Sequence, residues 1–385
     1  MLIPKIRVRI ISTTQEFDSS FERAMWIRDN EEAAERVFTF YYVNKCTITQ
    51  SFNLTADTCT IVIPRNLKFT EKPITKGNNE ITTDAAPQVD SKEKEVGFAV
   101  GDVIEVYMTL EWSDGGQYDS YGEKLRYKGY IKAITPNDNL VIQCEDDMWL
   151  LKQRKLQKAY PKGAVIDMVK DMVKGIMPAE NVRGGNIGQD SEAKFIASGY
   201  RLKRNPTIAK ALIGLRTNFK MRAWFKNREL WIGKLWYEDQ AEEEGAKNFE
   251  FQRNIISDNL QYQKKEDYLR GVEVEVINST DNSRFKVFAG TDDGDVERIP
   301  AVDLTKADAQ AMADNHLKRI TYDGFRGSFK IHIEPYLEHG WYVNLHDPRF
   351  GEERNGKYVI EKVVTSYDYN GAFQNVYLSS KVKES

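Results

Sequence analysis

Apolar and polar residues alternate along most of the chain with a period of two, which is typical of half-buried β-strands. The clearest run places Ile104, Val106, Met108, Leu110 and Trp112 between polar neighbours. Shorter runs of the same kind occur at 46–48, 59–63, 272–276 and 329–333. We therefore predict a fold that is mainly β.

Three segments instead repeat apolar residues every three or four positions, which predicts helices. One runs from Val165 to Ile176. The second opens at Asn205-Pro206, an N-cap followed by proline in the first turn. The third follows a capping-box pattern from Thr305 to Asp308. Because two of the three lie together in the middle of the chain, we predict a small α/β section there.

Two hairpin turns can be predicted from their residues. Asn370-Gly371 separates two alternating runs, and this dipeptide suits the two positive-φ positions of a type I′ turn. Trp224 and Trp231 flank Asn227-Arg228, which fits a small hairpin better than a sugar-binding platform.

The order of elements near Gly101 resembles the order near Gly340. Each glycine begins a strand, and a polar loop leads to a second strand, Lys128–Ile131 or Gly356–Val359, then to a turn and a third strand. An internal duplication explains this order. Chance similarity between two ordinary β-meanders is the alternative, because patterning alone fixes little topology.

These patterns predict two related β-barrel-like domains, at 1–155 and 248–385, on either side of a small helical and β-hairpin domain at 156–247. Residues 65–98 are polar and lack periodicity, so we expect a long loop that contacts a neighbouring subunit and becomes ordered in an assembly. An acidic run at 238–246 ends the middle domain.

Composition narrows the classes of function. The 385 residues include 55 Lys and Arg against 58 Asp and Glu, a net charge of −3, which argues against specific nucleic-acid binding or attachment to an anionic membrane. No apolar stretch predicts a membrane span, and no signal peptide is evident, so we expect a soluble protein. Cys46, Cys59 and Cys144 are odd in number and lack metal-type spacing, which favours a reducing environment.

Two acidic or histidine-rich groups could suggest a metal site. His332, Glu334, His339 and His346 lie close in sequence, but they match no strong ligand pattern, and His332 and Glu334 are predicted to share an exposed strand face. The segment 292–295 lacks the spacing of a calcium loop and fits a turn better.

Catalytic patterns are equally weak. Glu145-Asp146-Asp147 follows a strand and is expected to cap the next element. The glycine-rich stretch 183–188 does not follow a buried strand, so phosphate binding is not predicted. Cys46 and Cys144 lie within apolar strands rather than in a peptidase context. We predict no enzyme activity and no catalytic, cofactor or metal site.

The segment Phe98–Leu151 resembles the hub proteins of contractile phage tails, including the late-control protein D family. The resemblance rests on short motifs in a shared order, and it extends to a C-terminal part with an Ala-rich helix and a long hairpin. These motifs are Gly101-Asp102-Val103, Tyr127–Ile131, Leu140–Cys144, Glu145-Asp146-Asp147, Trp149-Leu150-Leu151, Ala307–Leu317 and Gly356–Leu378.

The resemblance implies a structural baseplate hub, a homotrimer whose two tube-like domains per chain form a pseudo-sixfold ring. Such a ring would join the tail tube or its initiator to a separate spike, contact other baseplate proteins, and belong to a virion tail assembled in the bacterial host cytoplasm. The tail type stays open. A tail-associated cell-wall hydrolase and a receptor-binding or glycan-binding tail protein are the alternatives.

We expect polar-to-acidic strand faces to line the channel of such a ring, because a conduit should not hold its cargo. The candidates are Glu105, Thr109 and Glu111 on one strand, and Glu273 and Glu275 on another.

Overall fold

The computed structural model describes residues 2–34, 36–53, 55–64, 70–73, 97–114, 117–120, 122–136, 138–156, 160–184, 196–200, 206–219, 221–233, 246–267, 270–278, 281–302, 304–350 and 354–382. Within these ranges the fold is mainly β with a few helices, which confirms the predicted fold class. None of the helices in these ranges is long and apolar enough to cross a membrane.

The N-terminal segment is a succession of strands with two short helices. Its elements are β1 Leu2–Ser12, α1 Ser20–Asp29, β2 Arg36–Phe40, β3 Lys45–Ser51, β4 Thr58–Pro64, β5 Thr70–Pro73, β6 Val103–Asp114, β7 Gln117–Ser120, β8 Lys124–Pro136, β9 Asn139–Glu145 and α2 Met148–Gln153.

The middle segment mixes helices and short strands, as predicted. Its elements are β10 Tyr160–Ala164, α3 Val165–Met172, β11 Val182–Gly184, β12 Ile196–Tyr200, α4 Ile208–Phe219, β13 Arg222–Lys226 and β14 Glu229–Gly233.

The C-terminal segment returns to strands around one long helix. Its elements are β15 Lys247–Glu250, β16 Ser257–Asp258, β17 Gln261–Gln263, β18 Arg270–Ile277, β19 Arg284–Gly290, β20 Asp295–Val302, α5 Lys306–Ile320, β21 Gly324–Arg326, β22 Ser328–His332, β23 Tyr342–His346, β24 Gly356–Asp368 and β25 Gly371–Lys381.

One fifteen-stranded sheet runs through the N-terminal and C-terminal segments. Twelve of its strands follow each other in the order β16-β22-β25-β24-β3-β4-β9-β8-β6-β1-β2-β5, and β7, β15 and β23 attach beside this path. The segments meet where β24 pairs antiparallel with β3, from Asp368 opposite Lys45 to Lys362 opposite Ser51. The two predicted β-domains thus share one sheet, while their boundaries and their origin by duplication stay predictions.

A first β-core is enclosed by β1–β4, β6, β8 and β9. Each of these strands directs apolar side chains to the same interior, among them Ile10, Ile48, Ile61, Ile104 and Ile142, all fully buried. Strands that share one interior must curl around it, and this gives the N-terminal segment its barrel-like form.

A second β-core lies among β15 and β22–β25, and it contains Phe249, Phe329 and Ile360. The long hairpin β24–β25 belongs to both cores. Val376 packs in the second β-core, whereas Ala372 near the hairpin tip packs in the first. Because the same two strands contribute side chains to both interiors, the two β-cores are directly joined.

Two further cores complete the molecule. Helices α1–α4 pack with the middle strands, and Leu150 of α2 lies in the same core as Val169 and Leu212, so this core reaches across the expected boundary at 155. The mixed sheet β19-β18-β20 packs on α5 through residues such as Val274 and Ala313. The sequence predicted β18 and α5, but it did not predict that they form a core of their own.

Two local predictions are wrong. Asp368 pairs with Gly371, so the loop residues of that hairpin are Tyr369 and Asn370, and only Gly371 has a positive φ. The helix predicted to open at Asn205-Pro206 begins at Ile208, and Thr207 caps it by accepting a hydrogen bond from the Lys210 amide.

Other local predictions are confirmed. Trp224 and Trp231 face each other across the β13–β14 hairpin, and its loop residues Asn227 and Arg228 both have the positive φ of a type I′ turn. Thr305 caps α5 by accepting a hydrogen bond from the Asp308 amide.

Most of the polar loop predicted at 65–98 lies outside the described residues. Its residues Thr70–Pro73 form β5, which pairs with β2, so this part is a strand rather than a loop. At its end, Phe98 is buried in the first β-core. The acidic run at 238–246 lies outside the described residues except for Ala246.

Candidate functional site

Six neighbouring strands present one continuous face on the side away from the two β-cores. We call this the open face. One row across it shows the continuity, because each residue in the row pairs with the next through the sheet: His332, Phe373, Ser366, Thr47, Thr60 and Gln143. At about 4.8 Å between strands, six strands span roughly 24 Å.

The central part of the open face is neutral and rich in hydroxyl groups. Thr47, Thr49, Thr58 and Thr60 alternate along β3 and β4 with the buried Cys46, Ile48, Cys59 and Ile61. Threonine suits this position because it is β-branched and also tolerates water. All four threonines are partly exposed, so this face is uncovered within the described part of the chain.

The strand faces predicted to line a channel do not belong to the open face. Glu105 and Thr109 are only 5% and 7% exposed. Glu105 forms ion pairs with Arg9 at 2.9 Å and Lys128 at 3.0 Å, so its charge is neutralised within the molecule. The prediction that Glu105 and Thr109 form a free polar surface is wrong.

The other acidic candidates also carry partners. Glu273 lies 2.9 Å from Lys286 and 3.3 Å from Arg298 on the outer side of the small β18–β20 sheet. That sheet is separate from the fifteen-stranded one. The threonine-rich open face was missed, although the alternation of Thr with Cys and Ile in β3 and β4 was a usable signal.

The charged groups near the end of β22 join the two β-cores. Glu334 does not share an exposed face with His332, as had been predicted, because its side chain is 3% exposed and pairs with Arg126 of β8. The Arg126 side chain is 1% exposed and stacks on Tyr336, with 4.3 Å from its guanidinium carbon to the ring centroid. This buried pair fastens the C-terminal segment to the first β-core.

A second contact between the N-terminal and C-terminal segments is built around Asp57 and Asp146. The Asp57 carboxylate accepts from the Ser51 amide and lies 3.6 Å from the His339 ring. Asp146 accepts hydrogen bonds from the amides of Asp57 and of Met148, the first residue of α2. The acidic run was predicted to cap this element, but the N-cap residue is Asp147, whose side chain makes no capping hydrogen bond. Burial raises the pKa of Asp146 well above its ordinary value, and the nearby Asp57 carboxylate raises it further.

These carboxylates have a structural use. Both are largely buried, and their oxygens accept backbone hydrogen bonds, whereas a general acid or base must reach a substrate. Burial also raises the pKa of the Cys59 and Cys144 thiols well above the ordinary value, and such thiols are poor nucleophiles.

The remaining candidates are dispersed. Asp292 to Gly294 lie in the loop that leads from β19 across the end of β18 to β20. Arg183 and Gly184 belong to strand β11, and the rest of that glycine-rich stretch lies outside the described residues. Among the described residues, no group of three or more His, Cys, Asp and Glu side chains could hold a metal ion.

Three tyrosines are exposed at one end of the first β-core. Tyr41, Tyr42 and Tyr369 have 70%, 56% and 95% of their surface exposed. They lie in two adjacent turns, because Lys45, which follows the first turn, pairs with Asp368, which precedes the second. Exposed tyrosines of this kind are frequent in contact surfaces.

The chain is similar to known proteins in structure and not in sequence. No family model matches the sequence, and no curated protein matches it. Among solved structures, a tail protein from Neisseria meningitidis MC58 is similar with a TM-score of 0.58 and 12% identity, over 99% of this chain and 97% of that one.

Two prophage tail proteins also have a similar fold. The 43 kDa tail protein of prophage MuSo2 from Shewanella oneidensis has a TM-score of 0.55 and 12% identity, over 91% of this chain and 98% of its own. Prophage tail protein gp18 from Listeria monocytogenes EGD-e has a TM-score of 0.51 and 9% identity, over 99% and 95%. The chain therefore has the fold of these phage-type tail proteins.

Proposed function

We propose that the chain is a structural subunit of a phage-type tail, the baseplate hub, and that it has no enzymatic role. Three copies form a ring, and the two β-cores of each copy supply six similar units around a central channel. The ring joins the tail tube or its initiator to a separate spike and contacts other baseplate proteins. It belongs to a virion tail that is assembled in the bacterial host cytoplasm.

The observation that carries this proposal is the open face. It passes without interruption from the C-terminal strands through β24 and β3 to β9, so both β-cores present the same side of one sheet. At its centre the face presents the uncharged hydroxyl groups of Thr47, Thr49, Thr58 and Thr60. This neutral centre lets a polymer slide, because phosphate or carboxylate groups find no fixed counter-charge at the four threonines.

For the part of the polar segment 65–98 that lies between β5 and the buried Phe98, we retain the prediction of a contact with a neighbouring subunit. Deleting 74–95, which spares β5, should leave the purified chain folded but impair particle assembly. Loss of folding in the deletion variant would remove this part of the proposal.

A receptor-binding or glycan-binding role is the second candidate, and a specific observation favours it. Tyr41, Tyr42 and Tyr369 project from one end of the molecule, where aromatic rings could stack on sugars. In the hub, the same tyrosines would contact an adjacent ring. Glycan-array binding that is lost in Tyr41→Ala would favour the receptor role.

The mass of the assembled protein tests the proposed function. We expect sedimentation at increasing concentration to reveal a species of three times 44.4 kDa. The double variant Thr47→Glu/Thr60→Glu should still form it, because a channel-lining face has no subunit contact to lose. A strict monomer at all concentrations, even beside its tail neighbours, would contradict the proposal.

A further inference from the structure

One end of the open face is chemically unlike its neutral centre. On β22, β25 and β24 it carries a group that we call the cation–aromatic zone, formed by Lys330, His332, Lys362, Phe373 and Tyr377. The Lys330 ammonium lies 3.9 Å from the centroid of the Phe373 ring, and the Lys362 ammonium lies 4.1 Å from that of Tyr377. The His332 ring is 5.7 Å from the Phe373 ring.

Sheet pairing places these side chains on one side. His332 pairs with Phe373, and Lys362 pairs with Tyr377. Asn375 lies between the two aromatic residues on the same face and pairs with Lys330. His332 is exposed, and the other members are partly exposed, so a ligand can reach all of them.

The two lysines are held in place by the aromatic rings. A ring beneath each ammonium limits its side-chain rotamers, which lowers the entropy cost of binding an anion from the open side. Within the described residues neither lysine has a carboxylate at ion-pair distance, whereas Lys132 and Lys152 at the other end of the open face both pair with Glu145. The zone is thus a fixed positive surface, and no carboxylate of the described residues pairs with its two lysines.

From this geometry we infer that the cation–aromatic zone binds an acidic segment of a partner protein. Carboxylates would pair with Lys330 and Lys362, and Asn375 and Ser366 would hydrogen-bond to its backbone. Nucleic acid is a poorer fit, because duplex DNA carries a charge about every 1.7 Å and its binding proteins display many cations, whereas this zone has two lysines on a neutral sheet. The inference rests on the proposed function in one respect: the segment would occupy the channel of the ring.

Fluorescence anisotropy with a labelled Glu/Ser-rich peptide tests the inference on the full chain. We expect saturable binding that weakens as salt rises, and a Kd that increases roughly tenfold in Lys330→Gln/Lys362→Gln. Lys330→Arg/Lys362→Arg should bind almost as the wild type does, since arginine keeps the charge and stacks on the same rings. The matched control Lys210→Gln/Lys318→Gln removes two exposed lysines from α4 and α5 and should leave the Kd unchanged.

Absence of peptide binding would overturn the inference, and so would two further results. One is equal loss of binding in the α4/α5 control, which would mean attraction to net charge alone. The other is zone-dependent binding of a labelled DNA duplex without binding of the peptide. The zone is accessible in a single chain, so the peptide measurement does not depend on ring formation. A trimer that ignores the peptide contradicts only this inference, whereas a monomer that binds it contradicts only the ring.

Discussion

The Arg126–Glu334 pair shows how one irregular residue can join two parts of the molecule. The pairing of β8 with β6 shifts register between Val106 and Tyr107, and the shift turns both Arg126 and Tyr127 towards the interior. A bulge of this kind places two consecutive residues on one side of a strand. Period-two patterning assigns Arg126 to the surface, so the sequence alone could not reveal this connection.

Breaking that pair should be costly. Glu334→Gln leaves the buried guanidinium of Arg126 without its counter-charge, and we expect the free energy of unfolding to fall by about 3–5 kcal/mol in urea titrations. The control Glu250→Gln removes the partner of Arg253, whose side chain is 77% exposed, and should cost less than about 1 kcal/mol. Equal effects of the two substitutions would show that the buried pair does not fasten the segments.

Asp146 should make stability depend on pH. The pKa of Asp146 is higher in the folded chain than its ordinary value of 3.8. The contribution of this carboxyl group to the free energy of unfolding is therefore complete below about pH 3.8, and it is lost as pH rises through the folded pKa. Melting temperatures should therefore rise on mild acidification from neutral pH. Asp146→Asn should lack this part of the pH dependence, whatever its absolute stability, while Asp138→Asn in an exposed turn should retain it. An unchanged pH profile in Asp146→Asn would contradict the assignment.

At the scale of elements, the hairpin β24–β25 couples the two β-cores. Ile360→Ala opens a cavity in the second β-core, and we expect it to cost about 2–5 kcal/mol. Because β24 also pairs with β3, the first β-core should lose stability in the same transition. Denaturation followed by far-ultraviolet circular dichroism and by tryptophan fluorescence should give coincident curves. Two separate transitions would mean that the β-cores unfold independently. Ile256→Ala, at an exposed position, serves as the control.

The small sheet β18–β20 offers a contrast between its two faces. Val274 is fully buried against α5, so Val274→Asp should destabilise the chain by about 4 kcal/mol or more. Glu273→Gln on the outer face should leave both folding and assembly intact. Thermal unfolding and particle formation measure the two effects. A severe defect in Glu273→Gln would show that this outer face takes part in assembly.

Strands were easier to predict than turns and helix ends. Alternation identified β6 and β18 because a half-buried strand needs one apolar face, and the apolar stripe of α3 was equally clear. The turn at Asn370-Gly371 was misplaced by one residue because sheet pairing, not dipeptide preference, set the register of β24 and β25. The N-cap of α4 was assigned to Asn205, although the hydroxyl group of Thr207 can cap a helix in the same way.

At the scale of the whole molecule, sequence order suggested two β-domains around a middle one, and the structure adds that a single sheet connects the outer two. That connection could not be predicted, because β3 and β24 are more than 300 residues apart and pairing between them leaves no local signal. The open face exists only through that pairing. For the same reason, the sequence led to Glu105 and Glu273 as channel residues, although their charges are neutralised within the chain.

A reconstruction of the assembled protein by cryo-electron microscopy would show directly whether the open face lines a channel. We expect three copies around an axial channel, with Thr47 and Thr60 pointing into it and the tyrosines at 41, 42 and 369 at one rim. A particle in which the open face points outwards, or is buried between subunits, would rule out the proposed channel even if three copies were present.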